Sequence, residues 1–128
     1  MIDLYADTDF FLALIERDDW LKKRAERMYR KYRVELWTST LTLQELMLLA
    51  YREDLDATEV IEKASELMPV KDIEIGVGGH ISACYLIKRY GMTPFDTIHA
   101  VICGSDSILS SDKKFDEVGL NRIKLEKD

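Results

Sequence analysis

The chain opens on Ile2-Asp3-Leu4-Tyr5-Ala6-Asp7-Thr8-Asp9-Phe10-Phe11, an apolar run that breaks at an acid and resumes as Leu12-Ala13-Leu14-Ile15. A short apolar run stopped by a carboxylate reads as a strand buried in a sheet, and the apolar block beyond it as a helix. In an open parallel sheet, ligands collect outside the carboxyl ends of the strands. An acid at the tip of a central strand is therefore well placed for chemistry, and Asp7 is the residue the fold has to explain.

The rest of the chain repeats the strand-then-helix alternation. Leu21, Ala25, Met28, Tyr29 and Tyr32 recur at helical spacing after Asp18-Asp19, two acids that suit a helix start. Val34–Thr38 alternates as a second strand, and Ser39-Thr40-Leu41-Thr42 opens a helix to about Arg52. Asp56-Ala57-Thr58 leads a further helix to about Met68, Pro69 ends it, and Val70–Ile73 reads as a strand. Gly76-Val77-Gly78-Gly79 lacks the third glycine of a dinucleotide fingerprint, because position 81 is Ile81, and no P-loop lysine follows. It reads as a flexible lead-in to the helix Ile81–Tyr90, with Gly91 as its stop. Thr93-Pro94 then starts another helix, Ser107–Ser111 is a fourth strand, and Asn121–Leu125 is an edge strand. This pattern predicts one domain over residues 1–128, a three-layer α/β/α sandwich with a mostly parallel central sheet.

Composition narrows the function. No apolar run approaches the roughly 18 residues needed to span a bilayer, and acids interrupt any signal-like start, so a cytoplasmic protein is expected. Cys84 and Cys103 have no CxxC spacing and lie in apolar patterns, as reduced core residues would. The net charge of −6 argues against coating nucleic acid by general positive potential, unless acids gathered in one cleft are neutralised by bound cations. Against that background Lys22, Lys23, Arg24, Arg27, Arg30, Lys31 and Arg33 form a basic helix face. It is either a solvated face or a nucleic-acid backbone contact, with Lys23, Arg27 and Arg30 as candidates.

Four acids share one property. Asp7 and Asp112 end strands, and Glu45 and Asp96 lie in the first turns of helices, so a parallel sheet with right-handed crossovers brings all four to the same edge. Each also has a local explanation: Thr42-Leu43-Gln44-Glu45 has the form of a capping box, Asp96 suits a helix start, and Asp112 suits a turn cap. His99, one turn beyond Asp96, is expected to be satisfied internally rather than to ligate. Converging carboxylates without a basic partner bind protons or a cation, and their hard oxygens suit Mg²⁺ or Mn²⁺ rather than zinc. Such ions activate water and stabilise a leaving oxygen, which is the chemistry of phosphate-ester hydrolysis.

The segments Tyr5-Ala6-Asp7-Thr8-Asp9-Phe10-Phe11, Leu43-Gln44-Glu45-Leu46, Phe95-Asp96-Thr97-Ile98-His99-Ala100 and Ser110-Ser111-Asp112-Lys113-Lys114-Phe115 together resemble the motifs of the PIN domain nucleases, which include the toxins of VapBC toxin–antitoxin pairs. The resemblance implies Asp7, Glu45, Asp96 and Asp112 as an acidic metal-binding set, cleavage of single-stranded RNA, frequent dimerisation and an antitoxin partner. Asp7, Asp96 and Asp112 would hold metal, and Glu45 would complete the site or position water. Two positions depart from the pattern, Asp9 for the usual asparagine and Ser110 for the usual threonine. Both keep hydrogen-bonding capacity as accessory groups. Asp116 is a further accessory candidate, against its alternative as a solvent-facing acid. Two other classes fit parts of the chain: a haloacid dehalogenase-like phosphatase using Asp7 as nucleophile in Asp7-Thr8-Asp9, and a non-catalytic module keeping the fold for binding.

Overall fold

Along each central strand, successive residues go to opposite sides of the sheet and into two separate cores. In the computed structural model, which describes residues 3–16 and 20–127, Leu4 and Ala6 of β1 (Leu4–Ala6) enter one core while Tyr5 enters the other. In the same way Leu36 and Trp37 of β2 (Leu36–Ser39) part company, as do Ile108 and Leu109 of β4 (Ser107–Ser110). Strands that are apolar on both faces need helices on both faces. The first core is closed by α1 (Thr8–Ile15), α2 (Lys22–Tyr32), α3 (Thr40–Arg52) and α4 (Ala57–Leu67), the second by α5 (Gly76–Tyr90), α6 (Pro94–Cys103) and α7 (Lys114–Glu117). Phe10, Phe11 and Phe115 are fully buried, and each contributes about 1.5–3 kcal/mol on leaving water.

The sheet has five strands in the order β3-β2-β1-β4-β5, where β3 is Val70–Lys71 and β5 is Arg122–Lys124, and every pairing is parallel. From β1 the chain steps outward through β2 and β3 beneath α1–α4, then crosses to β4 and β5 on the other side. The order therefore reverses between β1 and β4. A crevice opens at that reversal, outside the carboxyl ends of the strands.

Several elements differ from the sequence reading for local reasons. Strand β2 begins at Leu36 because Val34 is exposed on a turn, closed by the Glu35 N–H on the Tyr32 carbonyl at 2.9 Å. Helix α3 starts at Thr40 directly after β2, so Glu45 lies in its second turn and closes no capping box; Ser39 is the N-cap. The glycine stretch is no flexible lead-in, because α5 already runs from Gly76. Gly79 is required there, since a Cβ at that position would lie 2.5 Å from the Ile75 Cβ. Cys103 is buried as expected, but Cys84 is exposed on α5 and belongs to no core. Asp18 and Asp19 lie outside the described residues.

One buried cation ties the C-terminal strand to the end of β4. Arg122 on β5 donates from Nε and Nη2 to the two Asp116 carboxylate oxygens at 3.1 and 3.0 Å, and from Nη1 to the Ser110 carbonyl at 2.9 Å and Glu126 Oε1 at 2.8 Å. The guanidinium holds the Asp116 carboxyl below its ordinary range, and it does the same for Glu126 against the opposing effect of burial. Carboxylates with lowered pKa values stabilise the fold above about pH 4, and that contribution is lost as pH falls through their lowered values. Replacing Arg122 by alanine should cost about 2 kcal/mol in urea unfolding at pH 7, less than a fully buried pair because Asp116 is half-exposed. The gap between variant and wild type should narrow as the pH is taken down to 3.

Candidate active site

Asp7 closes β1 and caps α1 in one residue. Its backbone N–H continues the ladder to the Leu109 carbonyl at 3.1 Å, and its extended φ of −76° and ψ of 164° end the strand. One carboxylate oxygen accepts from the Thr8 N–H at 2.8 Å and the other from the Ser110 hydroxyl at 2.8 Å. On the far side, the Thr38 hydroxyl of β2 holds the Ala6 carbonyl at 2.9 Å. The tip of the central strand is thus fixed from both neighbours, with the acid at the crevice.

The loop after β4 supplies the second group. Asp9 Oδ2 accepts from the Ser111 N–H at 2.8 Å, from the Ser110 hydroxyl at 3.4 Å and from the Ser111 hydroxyl. Asp9 Oδ1 is buried with no hydrogen-bond partner among the described residues. Asp112 accepts from the Lys114 N–H at 2.9 Å, as a turn cap would, and still faces the crevice. Ser110 therefore braces Asp7 and Asp9 together.

Helices α3 and α6 bring the remaining acids. Thr93 caps α6 by accepting from the Asp96 N–H at 3.4 Å, which sets Asp96 in the first turn. Glu45 Oε1 accepts from the Thr8 hydroxyl at 2.9 Å and from His99 Nε2. The result is a cleft of about 210 Å³ lined by Asp7, Thr8, Asp9, Glu45, Asp96 and Asp112, with Leu12 and Leu49 as its apolar wall. All four acids singled out at strand and helix ends reach this one cleft.

Burial and mutual repulsion raise the pKa values of three of these acids. Burial pushes Asp7 up to about 6, opposed by His99 and the Ser110 hydroxyl, while the neighbouring Asp96 charge adds to the rise. Asp9 rises to about 7, chiefly through burial and then the charge of Asp7. Asp96 rises to about 6 through burial, against its Thr93 contact, with the charge and hydrogen bond of Asp112 adding. His99 is buried, which pulls its pKa down, but the Glu45 hydrogen bond and the Asp7, Glu45 and Asp96 charges together raise it. Raised carboxyl pKa values mark a site where added positive charge is favourable, and an all-oxygen donor set of this kind suits a hard divalent cation. The unpartnered Asp9 Oδ1 is the kind of acceptor that such an ion, or its water, satisfies. Among the described residues no three acid, histidine or cysteine side chains already stand as a closed ligand set, so the donors are gathered but not wrapped around a point.

Two sets of candidates lie elsewhere. Asp116 is no outer-shell carboxylate of the cleft, because both its oxygens are taken by Arg122. Lys23, Arg27 and Arg30 are exposed on α2, whose neighbour Lys22 donates to the Leu14 carbonyl at 2.6 Å, at the end of α1 opposite Asp7. Conversely, Thr8, Ser111 and Tyr5 contact the acids or His99 and were not singled out from sequence. Thr8 and Ser111 sit beside named acids, and that adjacency was the available signal. Tyr5 carried none beyond its place in the first strand.

Comparison with known proteins agrees with this arrangement. The chain matches the PIN domain sequence profile over residues 4–121. No curated protein sequence matches it significantly. Among solved structures, VapC20 of Mycobacterium tuberculosis, described as a sarcin–ricin loop cleaving toxin, superposes with a TM-score of 0.74 at 17% identity, covering 92% of this chain and 96% of that one. DNA-bound VapBC from Salmonella typhimurium gives 0.70 at 18% identity over 98% and 99%, and a toxin–antitoxin complex from Klebsiella pneumoniae gives 0.69 at 14% over 96% and 97%. Identities this low speak to the fold. The profile match spans nearly the whole chain and leaves no place for the dehalogenase-like phosphatase reading of Asp7-Thr8-Asp9. With the sheet order, the reversal between β1 and β4 and the acids gathered there, it makes this chain a member of the PIN domain family.

Proposed function

We propose that the protein is a divalent-metal-dependent endoribonuclease that hydrolyses phosphodiester bonds of single-stranded RNA, as the toxin of a toxin–antitoxin pair. The observation that carries this reading is the meeting of Asp7, Glu45, Asp96 and Asp112 in one cleft, where burial and neighbouring charge raise the pKa values of Asp7 and Asp96. Asp7, Asp96 and Asp112 would hold Mg²⁺ or Mn²⁺, which supplies Lewis-acid activation of water and of a phosphate oxygen. Asp7 is pre-positioned for this by the Thr8 N–H and the Ser110 hydroxyl. Glu45, accepting from Thr8 and His99 on one oxygen, orients the attacking water or completes the ligand set. Asp9 adds negative charge where the family pattern has asparagine, and Ser110 keeps the hydroxyl that threonine would offer.

Lys23, Arg27 and Arg30 on the exposed face of α2 suit contacts to RNA phosphates beyond the reacting bond. A protein partner has its own path. Leu12 and Leu49 of the carboxylate cleft also line a small hollow with Ile15, Leu55 and Val60, and these last three line a groove of about 470 Å³ with Glu16, Glu53, Asp56, Glu59 and Lys63 on its edges. Apolar floor and acidic edges suit an antitoxin segment with basic and apolar side chains, one arginine of which reaches the acids. For a homodimer, α5 presents Val77, Ile81 and Tyr85 one turn apart, exposed by 78%, 53% and 69%. A helix stripe of this kind favours burial against a second copy.

Three measurements test this reading. Asp7→Asn should abolish Mn²⁺-stimulated cleavage of a single-stranded RNA while the circular dichroism spectrum is kept, and cleavage at the wild-type rate would overturn the mechanism. Without metal, Asp9→Asn removes a buried like charge and should raise the melting temperature by about 4 °C, equivalent to about 1 kcal/mol; added Mn²⁺ should stabilise the wild type more than the variant. Ile81→Glu should turn a dimer into a monomer in analytical ultracentrifugation.

A further inference from the structure

Four polar side chains run beneath the cleft as one buried chain. The Ser39 hydroxyl at the end of β2 meets the Tyr5 hydroxyl at 2.7 Å, and the Tyr5 hydroxyl meets His99 Nδ1 at 2.6 Å. His99 Nε2 contacts Glu45 Oε1, with the Thr8 hydroxyl 3.2 Å from the same nitrogen. Ser39, Tyr5 and His99 are each fully buried, so none of these groups has water as an alternative partner. A carboxylate only accepts, so Nε2 must donate to Glu45. Nδ1 then either accepts from the Tyr5 hydroxyl or donates to its oxygen, and Ser39 completes the chain in both cases by rotating its own hydroxyl.

Glu45 needs such a hold. It has the longest side chain among the acids of the cleft, which Asp7, Asp9, Asp96 and Asp112 also line. An exposed glutamate in that position would swing outward, and the side-chain entropy would favour its doing so. The two donors meet on Oε1 alone, and among the described residues no hydrogen bond engages Oε2. One oxygen is anchored to the protein and the other is left for the cleft.

We infer that His99 is a positioning residue of this site: braced through Nδ1 by Tyr5 and Ser39, it holds Glu45 inside the ring of acids and sets the direction of its second oxygen. This rests on the nuclease reading, with Glu45 acting on water or metal. His99 itself touches neither substrate nor ion. Its role is that of the outer hydrogen-bonding partners that orient ligands and bases, whose loss typically costs about 10–100-fold in activity.

The test combines kinetics with resonances of the imidazole. In Mn²⁺-dependent RNA cleavage, His99→Gln should lower kcat about 10–100-fold with KM nearly unchanged. Glu45→Gln should do at least as much, and the double variant should lose no more than Glu45→Gln alone, because the two act as a unit. Tyr5→Phe removes only the brace, cannot leave a cavity in the core, and should lower kcat by a smaller factor. Independent losses that multiply in the double variant, or a His99→Gln enzyme with wild-type kcat, would overturn the inference. Imidazole nitrogen resonances read the same contact without any turnover. Those of His99 should move on Glu45→Gln and on Tyr5→Phe, while those of His80, exposed on α5 with Nδ1 on the Gly76 carbonyl, stay in place. Unmoved His99 resonances would overturn the hydrogen-bonded chain even if the RNA reading fails, whereas moved resonances with no RNA cleavage would place the failure in that reading.

Discussion

Like charges forced together at one sheet edge govern this molecule. Asp7, Asp9, Glu45, Asp96 and Asp112 line a single cleft, and burial with neighbouring negative charge raises the pKa values of Asp7, Asp9 and Asp96. The surrounding structure is arranged to tolerate them. Backbone N–H groups of Thr8, Ser111 and Lys114, hydroxyls of Thr8 and Ser110, and the His99 imidazole each donate to one or more of these acids. Most of these donors come from the two turns that follow β1 and β4, the strands on either side of the point where sheet order reverses. Topology chooses the place, and short polar side chains make it habitable.

That division explains what sequence revealed. The period-2 burial of Leu4, Tyr5 and Ala6, and of Ile108 and Leu109, is written in residue order, as are the acids that end those strands. The meeting of Asp7 with Asp112, and of both with Glu45 and Asp96, follows from the parallel sheet alone. Interactions that depend on side-chain direction were hidden. The capping-box reading of Glu45 failed because Thr38 and Ser39 end their strand inside the sheet, so that the N-cap of α3 is Ser39, three residues before the Thr42 of the cap motif. Sequence set Asp112 at a strand end among the four acids and left Asp116 between an accessory and a solvent-facing role. Asp112 does face the cleft, while Asp116 forks onto a buried guanidinium that its local sequence did not announce.

Helix α5 marks another limit. Its glycines looked like a loop, because glycine is a poor helix former in isolation. The local entry to the helix overrides that preference, because the side chain of the N-cap Ile75 crowds Gly79 and excludes any Cβ. The same helix then turns Val77, Ile81 and Tyr85 outward and takes Cys84 with them, although periodicity alone assigned Cys84 to a core. An apolar stripe identifies a face to be covered but does not say whether the cover belongs to the same chain. Here the second core is already closed by Leu86 and Tyr90 from the opposite side of α5, and the described residues leave the stripe uncovered.

The acidic balance of the chain fits a nucleic-acid enzyme once the distribution of its charge is considered. A net charge of −6 would repel RNA if spread evenly, yet part of it sits in one cleft where a bound divalent ion would neutralise it, while α2 carries an exposed basic face. A separate groove is edged by Glu16, Glu53 and Glu59, the last of them paired with Lys63 at 3.3 Å, so its rim keeps a net negative charge. The acids of the cleft, the acidic rim of that groove and the basic face of α2 lie at different places on the surface. The summed charge of the chain therefore says little about what any one of these surfaces attracts, and the local sign decides.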